Sequence, residues 1–352
     1  MEKLYFLSDY MEGAEPHALR ALIETNEEHT PGYMTDDYSE QAREKIRAAC
    51  ACPGAAVHFA VGGTQANALC LSALLQSYQG VIAPESGHIS IHEAGAIERG
   101  GHKVITLPSE NGKISAEAID AYCEAYWADE THDHIVMPGA VYLSQPTECG
   151  TLYSLAELQA VRQVCDRQHL QLYVDGARLA YALAANQNDV TLADLAKLCD
   201  IFYIGGTKCG ALFGEAIVIP DGKRFPHFFS LQKQMGAVLA KGRLLGLQFG
   251  ALFSPSEEDP SRIVYDVVGR QAIALADNLR EACGRIGLPL QYCSPTNQIF
   301  VTLKNDKMKA LSERVLFEVW AKESADHTTV RFVTGWATKA EDVSALIDLL
   351  EN

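Results

Sequence analysis

The chain contains two similar segments, Leu172-Tyr-Val-Asp175-Gly-Ala-Arg178 and Asp200-Ile-Phe-Tyr-Ile-Gly-Gly-Thr-Lys208-Cys-Gly210. Each begins as a short apolar run, which is typical of a buried strand, and ends in charged residues and glycine. In open α/β sheets, ligands bind at the carboxyl ends of the strands. We therefore expect the carboxylate of Asp175, the guanidinium of Arg178 and the amine of Lys208 to belong to one site.

Strand and helix patterns alternate along the chain before and around these segments. Strand-like runs occupy 80–83, 102–107, 135–137, 141–143 and 170–174, and helix-like stretches occupy 64–77, 89–98, 115–127 and 155–168. Alternation at this pitch indicates βαβ units and a mostly parallel sheet. The run 216–220 is predicted to add an antiparallel strand to that sheet.

The pattern changes in the last third of the chain. A helical region at 227–253, in more than one piece, and a strong helix at 264–286 precede a strand at 298–303, a helix at 308–322, a strand at 329–333 and a helix at 339–350. We predict an α/β protein with a large domain over residues 1–253, including the N-terminal segment, and a small C-terminal α+β domain over 254–352. A chain of 352 residues is long enough for two such units.

Composition restricts the classes of partner and compartment. The chain is 48% hydrophobic and 21% charged, and its net charge of −16 repels phosphate backbones and anionic membranes. Ten cysteines show neither zinc spacing nor a disulfide framework, which favours a reducing compartment. The N-terminus lacks a signal-peptide pattern, and no run reaches the ~18 apolar residues of a membrane span. We expect a cytoplasmic protein that binds neither nucleic acid nor membrane.

Two further motifs precede the strand-end segments. Gly62-Gly63-Thr64 follows the apolar stretch 55–61 and opens a predicted helix, where backbone amides and a hydroxyl could bind phosphate, although a glycine pair there is often a simple turn. His88 follows another strand-like run and could stack on a flat cofactor ring, or could be a partly buried structural histidine. His92 would share its helical face, but no third ligand accompanies the pair, so no metal site is predicted.

Asp175 and Lys208 supply the groups that pyridoxal phosphate (PLP) requires of its protein. A carboxylate keeps the pyridine nitrogen protonated, and a desolvated lysine framed by glycines has a lowered pKa and can form an imine with the cofactor. Taken alone, Asp175 and Arg178 could be an ordinary ion pair at a helix start. The phosphate turn, the histidine, the Asp-x-x-Arg and the glycine-flanked lysine together favour PLP as the cofactor.

With these motifs the chain resembles the fold-type I PLP enzymes, specifically the low-specificity threonine aldolase and aromatic amino acid β-eliminating lyase family. The resemblance implies a mostly parallel, seven-stranded sheet in the large domain, and a homodimer or homotetramer in which Tyr33 is lent to the neighbouring subunit. It also implies that the cofactor is held by Gly63, Thr64, His88, Asp175, Arg178, Lys208 and Lys241, and the substrate by Ser8, Tyr33, Arg178 and Arg331.

The activity implied by the resemblance is cleavage of a β-hydroxy-α-amino acid, threonine or allo-threonine, to glycine and an aldehyde. The expected catalytic residues are Lys208, His88, Asp175 and Glu148. Many members carry Thr-His-Asn after the strand that corresponds to 141–143, whereas this chain has Ser144-Gln-Pro-Thr147-Glu148. The base therefore stays open between His88, Glu148 and a phosphate-held water. Transamination and β-elimination remain alternatives, as does a non-catalytic α/β protein that binds a ligand at Gly62-Gly63.

Overall fold

A computed structural model describes residues 3–352 of the chain. The strands are β1 (Leu4–Tyr5), β2 (Ala56–Ala60), β3 (Gln79–Pro84), β4 (Val104–Leu107), β5 (Met137–Ser144), β6 (Gln171–Asp175), β7 (Ile201–Gly205), β8 (Glu215–Ile219), β9 (Gln298–Lys304), β10 (Val315–Leu316), β11 (Glu318–Lys322) and β12 (His327–Val333). The helices are α1 (Pro16–Glu24), α2 (Asp37–Ala49), α3 (Gly63–Leu74), α4 (His88–Ile91), α5 (Ala96–Arg99), α6 (Ala116–Ala128), α7 (Leu155–Gln168), α8 (Leu179–Ala184), α9 (Leu192–Leu198), α10 (Phe228–Gln234), α11 (Arg243–Leu252), α12 (Val264–Arg285), α13 (Asn305–Ser312) and α14 (Ala340–Glu351), with one 3-10 turn at His132–His134.

A seven-stranded sheet in the order β2-β8-β7-β6-β5-β3-β4 forms the centre of the large domain. Strands β7, β6, β5, β3 and β4 are parallel to one another, and β8 is antiparallel to both β7 and β2. This confirms the predicted, mostly parallel sheet and its antiparallel addition. The two runs predicted at 135–137 and 141–143 form one strand, β5, because the register against β3 shifts at Gly139 and the pairing continues beyond it.

Alternate residues of the central strands enter two separate cores, as expected for a sheet covered on both faces. Leu143, Val174 and Phe202 lie in one core. The tyrosines Tyr142, Tyr173 and Tyr203 lie in the other, with helix α3. A fully buried tyrosine hydroxyl needs a hydrogen-bond partner, so this face carries a row of polar groups within an apolar core.

The C-terminal part forms a second, smaller sheet in the order β11-β12-β9, with both pairs antiparallel. The N-terminal strand β1 pairs with β10, and Phe6 is buried in the same core as Leu279 and Phe332. A small C-terminal sheet domain is thus present. Helix α12 packs against both α8 and α14, and the boundary after residue 253 stays a prediction.

Two helix predictions were wrong in detail. The helix predicted over 308–322 ends at Ser312, and Glu318–Lys322 instead forms β11, because this aromatic and β-branched segment pairs with β12. The helix predicted over 89–98 is split into α4 and α5, since Ala94 and Gly95 adopt positive φ values of 50° and 74°. No helix within residues 3–352 is long and apolar enough to cross a membrane.

Candidate active site

A cavity of about 310 Å³ lies where strands β5, β6 and β7 end. Cavities of this size suit a small-molecule ligand. Of the eleven residues predicted to bind the cofactor or substrate or to take part in catalysis, seven line it: Gly63, Thr64, His88, Glu148, Asp175, Arg178 and Lys208. Four others do not line it: Ser8, Tyr33, Lys241 and Arg331.

The two strand-end segments meet because their backbones are in direct contact. The Gly205 N–H donates to the Gly176 carbonyl at 2.9 Å. A Cβ atom on Gly205 would lie only 2.2 Å from the Ala177 carbonyl oxygen, so glycine is required for this approach. Gly205 therefore allows the loop after Asp175 to pack against the end of β7.

The Asp175 carboxylate is 4% exposed and is held by four donors. The hydroxyls of Tyr142 and Tyr203 donate to it at 2.8 and 2.5 Å, the Asn67 amide at 3.2 Å and the Ala177 N–H at 2.9 Å. These bonds offset the cost of burying a carboxylate. The tyrosine face of the sheet thus serves to fix Asp175 in the cavity wall.

Lys208 is partly buried and lines the same cavity. Burial lowers the pKa of its amine, and the nearby Arg178 guanidinium lowers that pKa further, while Asp9, Asp175 and Glu215 oppose the shift. A lowered pKa makes more of the neutral, nucleophilic amine available. The sequence-based expectation of a desolvated lysine agrees with this direction.

Glu215 is a buried acid of this cavity that the sequence reasoning did not single out. It is 3% exposed, and its carboxylate accepts the Gly206 N–H at 2.9 Å. Burial raises the pKa of the Glu215 carboxyl, while the Lys208 charge opposes that rise. The sequence feature that could have revealed Glu215 is its position at the start of the apolar strand β8, because an acid is rarely buried there without a partner or a function.

His88 begins helix α4, and its imidazole is held by Glu93. The His88 Nδ1 atom lies 2.7 Å from Glu93 Oε1, and the same oxygen accepts the Asn67 amide at 2.6 Å. The Glu93 side chain is fully buried. Glu93 lies between α4, which ends at Ile91, and α5, which begins at Ala96, so a continuous helical pattern could not reveal this pairing.

Glu148 lies between Ser144 and His88. Its Oε1 atom accepts the Ser144 hydroxyl at 2.7 Å and the His88 backbone N–H at 2.9 Å. Its Oε2 atom is buried and has no hydrogen-bond partner within residues 3–352. Burial raises the pKa of the Glu148 carboxyl, and the nearby Asp175 charge adds to the rise. Glu148 thus lines the cavity with one of its two carboxylate oxygens not engaged by a hydrogen-bond donor within residues 3–352.

The amino end of helix α3 contributes Gly62, Gly63 and Thr64 to the cavity. No side chain caps this helix, so the first-turn amides keep their capacity to bind an anion. A Cβ atom on Gly63 would lie 3.0 Å from the Tyr203 hydroxyl oxygen, which holds Asp175. Glycine at this position therefore keeps the phosphate turn close to the strand ends.

Arg178 pairs with Asp9, and not with Asp175 as the simple ion-pair interpretation supposed. Its Nε and Nη2 atoms donate to the two Asp9 oxygens at 2.7 and 3.0 Å. Asp9 is 2% exposed and also accepts the Asn297 amide at 2.9 Å. The family resemblance implied a role for Ser8, yet the next residue, Asp9, is the one that pairs with Arg178.

Arg331 lies on β12 beside the cavity and is 8% exposed. It donates to the Gln298 amide oxygen at 2.7 Å and forms an ion pair with Glu318. Burial lowers the pKa of the Arg331 guanidinium, and the Arg178 charge lowers it further. The two arginines predicted to bind a carboxylate are therefore electrostatic neighbours.

Tyr33 and Lys241 lie away from the cavity within this chain. Tyr33 is 49% exposed, with the Lys233 ammonium 4.7 Å from its ring centroid. Lys241 is exposed and precedes helix α11. Their proposed contributions across a subunit interface stay predictions.

The sheet, with a lysine and an aspartate at neighbouring strand ends, has the architecture of the fold-type I enzymes. The Thermus thermophilus aspartate aminotransferase shares this fold, with a TM-score of 0.71 and 14% identity, over 99% of this chain and 91% of that one. A Leishmania major threonine aldolase matches at a TM-score of 0.93 and 36% identity, over 99% of this chain and 98% of that one. A low specificity L-threonine aldolase of Pseudomonas aeruginosa is 31% identical over 346 residues, which are 97% of this chain and 95% of that protein.

The model of the beta-eliminating lyase family matches residues 6–305. This chain belongs to the beta-eliminating lyase family. Enzymes of the family depend on PLP, so the chain is a lyase of a PLP-dependent family.

Proposed function

We propose that the protein binds PLP and cleaves a β-hydroxy-α-amino acid, threonine or allo-threonine, to glycine and an aldehyde. The observation that carries the proposal is the placement of Asp175 and Lys208 at the ends of adjacent parallel strands, facing one cavity. The similarity to threonine aldolases from Leishmania major and Pseudomonas aeruginosa supports this reaction over transamination and β-elimination.

The residues present fit PLP on three chemical grounds. An uncapped helix start next to Gly63 and Thr64 suits the phosphate. A fixed carboxylate, Asp175, suits a protonated ring nitrogen, and the rotatable hydroxyls of Tyr142 and Tyr203 can share it with a further donor. An amine with a lowered pKa suits a covalent link to an aldehyde.

When bound, PLP supplies an electron sink for the bond broken at the α-carbon. Asp175 holds a proton at the ring nitrogen, and the Lys208 amine anchors the cofactor. His88, whose ring is fixed by Glu93, lies where it can flank a planar ligand. The first turn of α3 binds the phosphate through its backbone amides and the Thr64 hydroxyl.

Arg178 and Arg331 bind the substrate carboxylate and so orient the bond to be broken. Proton acceptance from the β-hydroxyl falls to Glu148 Oε2 or to the Nε2 atom of His88. Glu148 is the better-supported base, because its Oε2 atom is buried without a partner and burial raises the pKa of its carboxyl towards the working pH. We therefore propose Glu148 as the catalytic base, which the sequence left open between His88, Glu148 and a phosphate-held water.

The assembly is a homodimer or a homotetramer, with Tyr33 and Lys241 serving the active site of a neighbouring subunit. Both residues are exposed and lie outside the cavity of their own chain, which leaves them available for such a role. Size-exclusion chromatography with light scattering tests this directly, because a monomeric holoenzyme with full activity would contradict it.

The reaction is tested by incubating the purified protein, loaded with PLP, with L-threonine and L-allo-threonine. Glycine and acetaldehyde are expected in equal amounts, with acetaldehyde measured by coupling to alcohol dehydrogenase. Release of ammonia and a keto acid would indicate elimination instead, and an amino-group transfer that needs added keto acid would indicate transamination. A protein that does not absorb in the visible range after incubation with PLP would contradict the proposal.

A further inference from the structure

The two arginines assigned to the substrate carboxylate are held in different ways. Asp9, which pairs with Arg178, has a fully buried side chain and bonds with two guanidinium nitrogens. Glu318, which pairs with Arg331, has a side chain that is 39% exposed. A buried acid with several bonds is a fixed support, whereas a partly exposed one can be exchanged at little cost.

Glu318 lies on β11, directly opposite Arg331 in the antiparallel pairing with β12. Strand β11 is the edge of its three-stranded sheet, and its register shifts between Val319 and Ala321, immediately after Glu318. Edge strands with an irregular register are held by fewer backbone bonds. The carboxylate that pairs with Arg331 therefore comes from a weakly constrained element.

The surroundings of Arg331 contain unused hydrogen-bond donors. Its Nε atom and the Nε2 atom of Gln298 are buried and have no acceptor within residues 3–352. Buried donors without acceptors cost free energy. Glu318 accepts a hydrogen bond from neither of these two atoms, and its own Oε2 atom is also buried without a hydrogen-bond partner within residues 3–352. A ligand carboxylate would supply the acceptors that the two donors lack.

Glu318 is also electrostatically linked to the cavity. Burial lowers the pKa of His92, the His88, Arg331 and Lys208 charges lower it further, and Glu318 opposes the shift. The Arg178 charge, which belongs to the cavity lining, also lowers the pKa of Arg331. The ion pair between Glu318 and Arg331 therefore lies near the residues that line the cavity.

We propose that Glu318 competes with the α-carboxylate of the substrate for Arg331, and so sets the affinity of the enzyme for amino acids. This inference rests on the proposed function, because it takes Arg331 as a substrate-binding residue. An incoming carboxylate displaces Glu318 from the guanidinium, and Glu318 moves towards solvent with its edge strand. Asp9 stays on Arg178 throughout.

Glu318→Gln is the direct test. Removal of the competing charge makes Arg331 more available, so we expect the dissociation constant for glycine to fall about fivefold, the factor implied by a partly exposed ion pair that must open before binding. The KM for L-threonine is expected to fall in parallel, with kcat unchanged. Isothermal titration of the PLP-loaded protein with glycine measures the affinity without turnover.

Two controls isolate the carboxylate. Glu323→Gln removes an exposed acid just beyond the same strand and should leave the affinity for glycine unchanged. 1-Amino-2-propanol, which is threonine without its carboxylate, should bind equally to the wild-type protein and to Glu318→Gln. In a protein that already carries Arg331→Gln, the substitution Glu318→Gln should no longer increase the affinity for glycine, because no guanidinium remains for the two carboxylates to compete for.

The outcomes separate the two proposals. Equal glycine affinities in wild type and Glu318→Gln would overturn the competition while leaving the aldolase activity intact. Weaker glycine binding in the variant would show instead that Glu318 positions Arg331. A wild-type protein that binds no glycine would contradict the proposed function together with this inference. Glu318→Ala, which cannot hydrogen-bond to Arg331 at all, should tighten binding at least as much as Glu318→Gln.

Discussion

Glu148→Gln is the substitution that best tests the assignment of the catalytic base. Glutamine retains an acceptor oxygen for the Ser144 hydroxyl and the His88 N–H, at 2.7 and 2.9 Å in the native contacts. It replaces the free Oε2 atom by an amide that cannot take a proton. The fold and the substrate contacts are therefore preserved while the base is removed.

The expected loss of activity in Glu148→Gln equals the rate enhancement that a positioned general base supplies. We expect kcat for L-threonine to fall about 10²- to 10⁴-fold, with KM changed less than threefold, because Glu148 makes no contact that binds the substrate carboxylate. The free energy of unfolding should not decrease, since a buried carboxyl with a raised pKa is replaced by a neutral group.

The pH dependence gives an independent readout. A base acts when it is deprotonated, so wild-type kcat should fall as the pH decreases through the pKa of Glu148. Burial and Asp175 raise that pKa above its ordinary value of 4.5, which places the acid limb of the profile above that pH. The limb should be absent in Glu148→Gln. In Ser144→Ala it should move to higher pH, because the Ser144 hydroxyl stabilises the ionised carboxylate.

Two results would contradict the proposal that Glu148 is the catalytic base. If kcat in Glu148→Gln stays within threefold of wild type, the proton goes elsewhere, and the Nε2 atom of His88 becomes the acceptor to test. If kcat falls but the acid limb stays at the same pH, Glu148 has a structural role in holding the His88 backbone. Single-turnover measurements on the PLP-loaded protein separate the chemical step from product release.

Three further predictions concern the other charged groups of the site. Lys208→Ala should lose the visible absorbance that PLP acquires on covalent attachment, and a variant that keeps this band would contradict the lysine assignment. Asp9→Asn leaves the buried Arg178 without its charged partner. It should raise the KM for threonine about tenfold and lower the free energy of unfolding in urea by about 3–5 kcal/mol. Unchanged values of both would mean that other contacts hold Arg178. Glu215→Gln should flatten the pH dependence of the unfolding free energy of the PLP-free protein. Since the folded-state pKa of Glu215 is raised, its contribution is fully present below the ordinary value of 4.5 and is lost as the pH rises through the raised pKa; parallel curves for wild type and variant would contradict this.

The residues at strand ends were the predictable part of the site. Asp175, Lys208 and the Gly63-Thr64 turn each follow an apolar run, and the rule that parallel strands end at a common edge brings them together. These residues could be recognised in the sequence because each one is a polar residue or glycine directly after an apolar, strand-like run. The parallel sheet and the long helix α12 followed from the same periodicity.

The supporting residues could not be predicted, because their roles depend on contacts between distant parts of the chain. Asp9 reaches Arg178 across 169 positions of sequence, and Asn67 reaches Asp175 across 108. Glu93 meets His88 because helix α4 ends at Ile91, before Glu93, so the two residues do not take the positions of a continuous helix. Strand β11 was mistaken for helix because the pairing with β12, and not the local pattern, decides its conformation.

The different tasks proposed for Asp175 and Glu148 agree with the pairing of charges around the cavity. The arginines and their acids are Arg178 with Asp9 and Arg331 with Glu318, and the His88 ring is hydrogen-bonded to Glu93. Within residues 3–352, Asp175 and Glu148 form no ion pair at all. Asp175 is held by four donors and so offers a fixed negative charge, which suits a permanently protonated ring nitrogen. Glu148 keeps one buried oxygen without a donor, so protonation of that oxygen breaks no existing hydrogen bond. The carboxylate proposed to pair with the ring nitrogen and the one proposed as the base therefore differ in the number of donors that each already has.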